Sequence, residues 1–342
     1  MDPRTVQFLI FCVFSVASLA AGYAARRRNL VTEDFSRPLH FVTVVFLWSA
    51  VSLLSLWKLP LGRDNIWLLV IEPLLVAVPA YGIIPIARYF GCTRKQTGVL
   101  ALAAGLGNLG FTLGGYLCYT LLANPELIAR PDLADADAAN AAADAALAYA
   151  VAQVTIMSTT GVVVLYPLAR HFGDTDTTGE SLATLIRRSL VDLRAMMIYT
   201  GILGVALAYL GVPQPAWIDR VGVIDVLFYL GAFTAYAGIG LRLRLGETWR
   251  HLRLHAMLAG MRFVTIPLLT LALVSLAALS PAPPNVLLRH VFLVEAFMPA
   301  AIQLVITANL FHLDPRQASS LWLVNTLLFL AVPLPVMIWL LG

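Results

Sequence analysis

Gly105-Leu106-Gly107-Asn108-Leu109-Gly110-Phe111-Thr112-Leu113-Gly114-Gly115 lies within an apolar run over 97–122, and Glu295-Ala296-Phe297-Met298-Pro299-Ala300-Ala301-Ile302-Gln303 lies within another over 287–311. Each run is long enough to cross the roughly 30 Å hydrocarbon core of a bilayer as a helix. Each also carries residues poorly suited to a helix interior, glycine costing about 1 kcal/mol and proline about 3 kcal/mol relative to alanine. Backbone freed at membrane depth persists only where protein or a water-filled cavity satisfies it. The pattern predicts two broken helices, unwound near Gly107–Gly110 and Met298–Pro299. Gly105, Gly107 and Gly110 match a dinucleotide-binding fingerprint literally. That motif needs a strand before it and a helix after it, and a single continuous apolar run flanks it here.

Outward from these runs the apolar texture continues to both ends. Of 342 residues, 60% are hydrophobic and 12% charged, whereas a soluble chain carries about 25% charged residues. The segments are continuous Leu/Val/Ala runs without the period-two alternation of a membrane β-barrel. The reading is an all-α membrane protein with ten transmembrane helices, over 5–24, 39–57, 65–87, 97–122, 143–169, 194–211, 221–241, 255–279, 287–311 and 318–341. The first run is followed by Arg26-Arg27-Arg28 and preceded only by Arg4, which favours a retained span over a cleaved signal. Cys12, Cys92 and Cys118 are scattered and odd in number, with no disulfide framework or metal-ligand spacing.

Orientation follows from the basic residues. With the N-terminus outside, the inside connections hold 16 Lys/Arg and the outside segments 6, Arg262 being left within a span. The positive-inside rule then places both termini and the 123–142 connection outside. The connection over 170–193, assigned to the cytoplasm, divides the chain into a first five-span repeat at 1–169 and a second at 194–342. Five spans per half make the halves start on opposite faces, as inverted repeats do, and the two interrupted runs are the fourth of each half. Such matched interruptions point to a transporter's binding site.

A half-helix that restarts in the membrane offers free N–H groups and the positive end of its dipole, a seat for an anion. Gly107, Gly110 and Pro299 open the backbone there, while Asn108 and Gln303 supply amides at corresponding places. Pro299 cannot donate to the Glu295 carbonyl. Glu295, Pro299 and Gln303 would share one face if the helix ran on. Intramembrane ionisable groups are functional candidates by default. Glu72, Glu295 and Arg262 are therefore candidates for ion coupling or for a fixed ion pair.

These residues carry a resemblance. Asn108-Leu109-Gly110-Phe111 resembles the Asn-Thr-Gly-Phe signature of the auxin efflux carrier family, and Met298-Pro299-Ala300-Ala301-Ile302-Gln303 to Asn309 resembles its Pro-x-x-x-Asn stretch. Arg26–Leu30, Phe233–Leu241 and Ala318–Pro335 resemble the turn after span one, span seven and the last span. Gly114-Gly115 stand where the family signature has proline, and Gln303 where it has asparagine. The resemblance implies a scaffold of spans 1, 2, 6 and 7, a moving transport unit of spans 3–5 and 8–10, a homodimer, and movement of an organic anion by an elevator-like mechanism.

The expected function is thus secondary active or facilitative transport of a small organic anion, at a bacterial-type inner membrane. A sodium-coupled symporter of the bile-acid type and a non-transporting solute sensor on the same fold are the alternatives. No His-Glu-x-x-His or Gly-x-Ser-x-Gly occurs, so no catalytic residue, enzyme activity or metal site is expected. No cofactor is expected beyond a proton or sodium ion for coupling, and no nucleic acid, the basic excess being explained by the loops.

Overall fold

The computed structural model describes residues 3–58, 62, 65–110, 113–128, 135–173, 181–244 and 251–341. Among these the chain is helical, with one isolated antiparallel bridge and no strand. The α-helices in order are α1 (Pro3–Arg27), α2 (Ser36–Val42), α3 (Trp48–Trp57), α4 (Ile66–Tyr89), α5 (Arg94–Gly105) and α6 (Leu113–Leu121). There follow α7 (Asp135–Gly173), α8 (Leu182–Val191), α9 (Met196–Tyr209), α10 (Ala216–Arg220), α11 (Val223–Arg242) and α12 (Leu252–Gly260). The last are α13 (Ile266–Ala278), α14 (Val286–Ala296), α15 (Gln303–Leu310), α16 (Pro315–Ala331) and α17 (Pro333–Leu341). Single π-helical turns at Thr43–Leu47 and Met261–Thr265 join α2 to α3 and α12 to α13.

Among the described residues, seven helical stretches are long and apolar enough to cross a membrane, and an eighth if α8 and α9, bent by 79° at their junction, count as one. The sequence predicts ten spans. The runs expected over 97–122 and 287–311 are each split into a pair of helices too short to cross alone, so helices of spanning length fall short of that number. Prolines do not break every helix: α4 runs on through Pro73, Pro79 and Pro85. The connection expected over 123–142 is shorter than its reading, because α7 already begins at Asp135. Residues 129–134 and 174–180 of the two longest connections lie outside the described residues.

Side-chain caps fix several helix starts. Thr93 and Gln96 form a reciprocal capping box at α5, and Asn285 and Asp314 cap α14 and α16. The basic connections meet at one end of the bundle. Arg26 donates to the carbonyls of Leu241 and Leu243 at 3.1 and 2.8 Å, and Glu33 lies 2.8 Å from Arg244 and 3.1 Å from Arg316. Connections of the other set are tied by indoles: Trp57 donates to Val212 O and Trp67 to Ala282 O.

Two groups of helices stand out. In one, α1 packs on α11 and α3 on α9; in the other, α4, α5, α6 and α7 pack together and are joined by α12 to α16. Large apolar residues such as Val13, Val16, Ile202 and Leu268 are exposed. That is how the surface of a bilayer-embedded bundle is built, since lipid rather than water is the solvent there.

Candidate functional site

The two glycine- and proline-bearing runs unwind where their composition predicts. α5 ends at Gly105 and α6 restarts at Leu113; α14 ends at Ala296 and α15 restarts at Gln303. The two open stretches lie side by side. Gly107 and Ala300 form the antiparallel bridge, the Asn108 N–H donates to Pro299 O at 2.8 Å, and the Ala301 N–H donates to Leu106 O at 2.9 Å. Two of the backbone N–H groups freed by the breaks are thus satisfied across them, as burial at membrane depth favours.

Glycine is needed here for space as well as for conformation. Gly110 has φ +66°, and a Cβ on Gly114 or Gly115 would overlap the Glu295 carboxylate or the Gly110 carbonyl respectively. A Cβ on Gly107 would lie 2.6 Å from Arg262 Nη2.

Arg262, on the π-helical turn between α12 and α13, is 3% exposed and ties the breaks together. Its Nε and Nη2 donate to Met298 O at 3.0 and 2.5 Å, and its Nη1 donates to Ala104 O at 3.2 Å. The guanidinium therefore caps the last turn of α5 and the chain leaving α14, neutralising the carbonyl ends of both half-helices. It makes no ion pair within 4.0 Å to Glu72 or Glu295, so the direct pair allowed for by the sequence reading does not form.

Glu295 accepts from the Gly110 N–H at 3.1 Å and lies against Gly114 and Cys118 of α6. The protein's own carboxylate thus occupies the approach to the α6 N-terminus. Glu72 accepts from Gln153 Nε2 at 2.8 Å. A face shared by Glu295, Pro299 and Gln303 required the helix to run on; it stops at Ala296 and restarts at Gln303, so the condition is not met. The Glu295 carbonyl is also taken, accepting from the Met298 N–H at 3.1 Å.

On the other side of the breaks lies a cavity of about 80 Å³. Asn108 and Gln303, both 5% exposed, line it with Gly107 and Ile302, facing Trp48, Ser52, Met197 and Phe228 of α3, α9 and α11. Thr155 and Ser158 of α7 complete its polar wall, Ser158 Oγ lying 3.5 Å from Gln303 Oε1. No ionisable side chain among the described residues lines it. The Ile302 and Gln303 N–H groups, at the start of α15, have no protein acceptor among the described residues.

Of the residues singled out in sequence, Gly107, Asn108 and Gln303 meet at this cavity; Glu72, Glu295 and Arg262 gather behind Gly107 in a second one. Gly110 and Pro299 sit in the breaks without lining the first cavity. Sequence reasoning missed Gln153, Ser158 and Asn325, whose Oδ1 accepts from the Ala300 N–H at 2.7 Å. A polar side chain within an apolar run, an amide at Gln153 and Asn325 and a hydroxyl at Ser158, was the signal for each.

The profile of the membrane transport protein family matches residues 6–338. No curated protein is a significant match to the chain.

Proposed function

The chain belongs to the membrane transport protein family, that of the auxin efflux carriers, and from this we propose that it carries a small organic anion across the membrane. The observation that carries the reading is the neutral, amide-lined cavity against the start of α15, where unsatisfied N–H groups and the positive dipole end favour negative charge. The corresponding seat at α6 is taken by Glu295, which leaves α15 to the substrate.

The transport unit in this reading comprises spans 3–5 and 8–10, and the scaffold spans 1, 2, 6 and 7, within two inverted five-span repeats. The helix grouping supports it, since the cavity lies between α3, α9 and α11 on one side and the breaks with α7 on the other. At about 80 Å³ the cavity falls below the ~300–1,000 Å³ of ordinary ligand pockets. Loading then requires the two groups to part, which fits an elevator-like movement with the paired breaks carried as one body. A homodimer in a bacterial inner membrane, with both termini outside, belongs to the same reading.

Flux of radiolabelled organic acids into proteoliposomes, with and without pH and sodium gradients, tests it. Absence of flux for every acid that binds would favour a sensor, and flux driven by sodium alone would favour the bile-acid-type symporter. Within this assay Asn108→Ala is expected to weaken anion binding about 10-fold or more, since a hydrogen bond to a charged partner contributes roughly 1.5–3 kcal/mol and about 1.4 kcal/mol is one decade. Gln303→Ala should act in the same direction but more mildly, because ordering the longer side chain costs more entropy. Binding and flux equal to the parent's in Asn108→Ala would make the amides packing elements and displace the site.

Orientation has its own measurement. A cysteine introduced at position 135 should react with a membrane-impermeant reagent in intact cells, and one introduced at 187 should be protected. The reverse pattern would invert the assignment, which rests on the 16-to-6 distribution of basic residues.

A further inference from the structure

Behind Gly107 and Leu109, which line both cavities, a second space of about 20 Å³ is bounded by Glu72, Gln153, Arg262 and Glu295. Both carboxyl groups and the guanidinium are buried, at 2%, 1% and 3% exposure. Arg262 is the only buried Lys or Arg among the described residues. With all three groups ionised, the cluster holds two negative charges and one positive.

Its hydrogen bonding does not absorb the excess. The guanidinium directs its bonds to the Met298 and Ala104 carbonyls. Glu295 Oε2 is buried without a partner, and so is Gln153 Oε1, an acceptor lining the same space. A net buried charge with an unsatisfied carboxylate oxygen is strongly unfavourable in low dielectric, and like charges sharing a site do not both ionise. One bound proton makes the cluster neutral. The other titratable group facing Glu295 is the Cys118 thiol, 4.0 Å from Oε1. His40 and His255, though buried, do not line this space.

We propose that Glu72 and Glu295 hold one exchangeable proton between them, making the space behind the span-four break a proton site. The proton passes from water to a carboxylate oxygen, forming a neutral carboxyl, and returns to water with no other bond changed. Because the Gly110 N–H donates to Glu295 and Gly107 separates the two cavities, the site adjoins the anion cavity. An anion bound to the deprotonated cluster would add a second uncompensated negative charge, so proton and anion favour each other's binding. By linkage this favouring is reciprocal. The coupling to flux rests on the transport reading above; the proton site itself does not.

Infrared difference spectroscopy on the purified full chain, carrying ¹³C-carboxyl glutamate and titrated across neutral pH without any organic anion, tests the site. The parent should show a protonated-carboxyl C=O band at neutral pH, lost on alkalinisation. Glu72→Gln and Glu295→Gln should each abolish it, because either leaves one carboxylate balanced by Arg262. Glu33→Gln, at the surface, should leave it unchanged. Absence of the band in the parent, its persistence in either single variant, or its loss on adding sodium at fixed pH would overturn the shared proton site. The parent spectrum decides whether a neutral carboxyl exists even if a variant fails to fold. In proteoliposomes, organic-acid flux indifferent to a pH gradient while the band is present removes the coupling and keeps the site. Flux without the band removes the site and keeps the transport reading.

Discussion

Arg262→Gln is expected to lower stability by about 3–5 kcal/mol, the range for removing one partner from a buried charged cluster. Two effects act together. The Ala104 and Met298 carbonyls lose the donors that close both half-helices, and Glu72 and Glu295 lose the nearest positive charge. Unfolding of the purified protein in detergent, followed by tryptophan fluorescence, measures the loss. Arg262→Lys should recover little of it, because a single ammonium lacks the planar fork that reaches two carbonyls from one side chain. Adding Glu295→Gln to Arg262→Gln should restore part of the stability, since one of the two carboxyl groups left without a countercharge is then gone. Parent-like stability of Arg262→Gln would mean that the breaks are held by their mutual backbone pairing alone.

Gly115→Ala is the second substitution expected to act strongly. Its Cβ would overlap the Gly110 carbonyl oxygen, and Gly110 has no freedom to withdraw. Gly110 sits at φ +66°, its own space is limited by Val154, and its N–H holds Glu295. Overpacking of this kind costs typically about 1–3 kcal/mol, and occasionally more where backbone must move. The same shift would disturb the paired breaks, so anion binding should fall along with the unfolding midpoint. Gly82→Ala serves as the contrast. Beyond the adjoining backbone of α4 itself, nothing lies within 4 Å of its Cβ position, and a helical alanine there should be neutral or stabilising by roughly 0.5–1 kcal/mol. Equal midpoints for the two variants would show that the span-four break tolerates side-chain volume at its tightest point.

The amino-acid sequence by itself determined the solvent and the weak points of the fold. Charge depletion and long apolar runs require a bilayer, because no aqueous fold would leave Val13, Val16 and Leu268 uncovered. Gly105–Gly110 and Met298–Pro299 weaken their helices locally because glycine and proline act on the backbone itself, although α4 runs on through its three prolines. Asn108 and Gln303 were legible for the same reason, as amides set directly at those interruptions. What the tertiary structure decided is which groups meet. Gly107 pairs with Ala300, Arg262 reaches back to Ala104, Gln153 meets Glu72, and Asn325 holds the Ala300 N–H. Each contact joins residues distant in sequence or on different helices, and periodicity along one helix contains no information about its neighbour's rotation. The separate placing of Glu295 and Gln303 has that origin: once the helix stops, helical spacing no longer says where the next side chain points. Glu295 turns to the start of α6 and Gln303 to the neutral cavity, and only packing against Gly110 and Gly114 on one side and Ser158 on the other fixes that division.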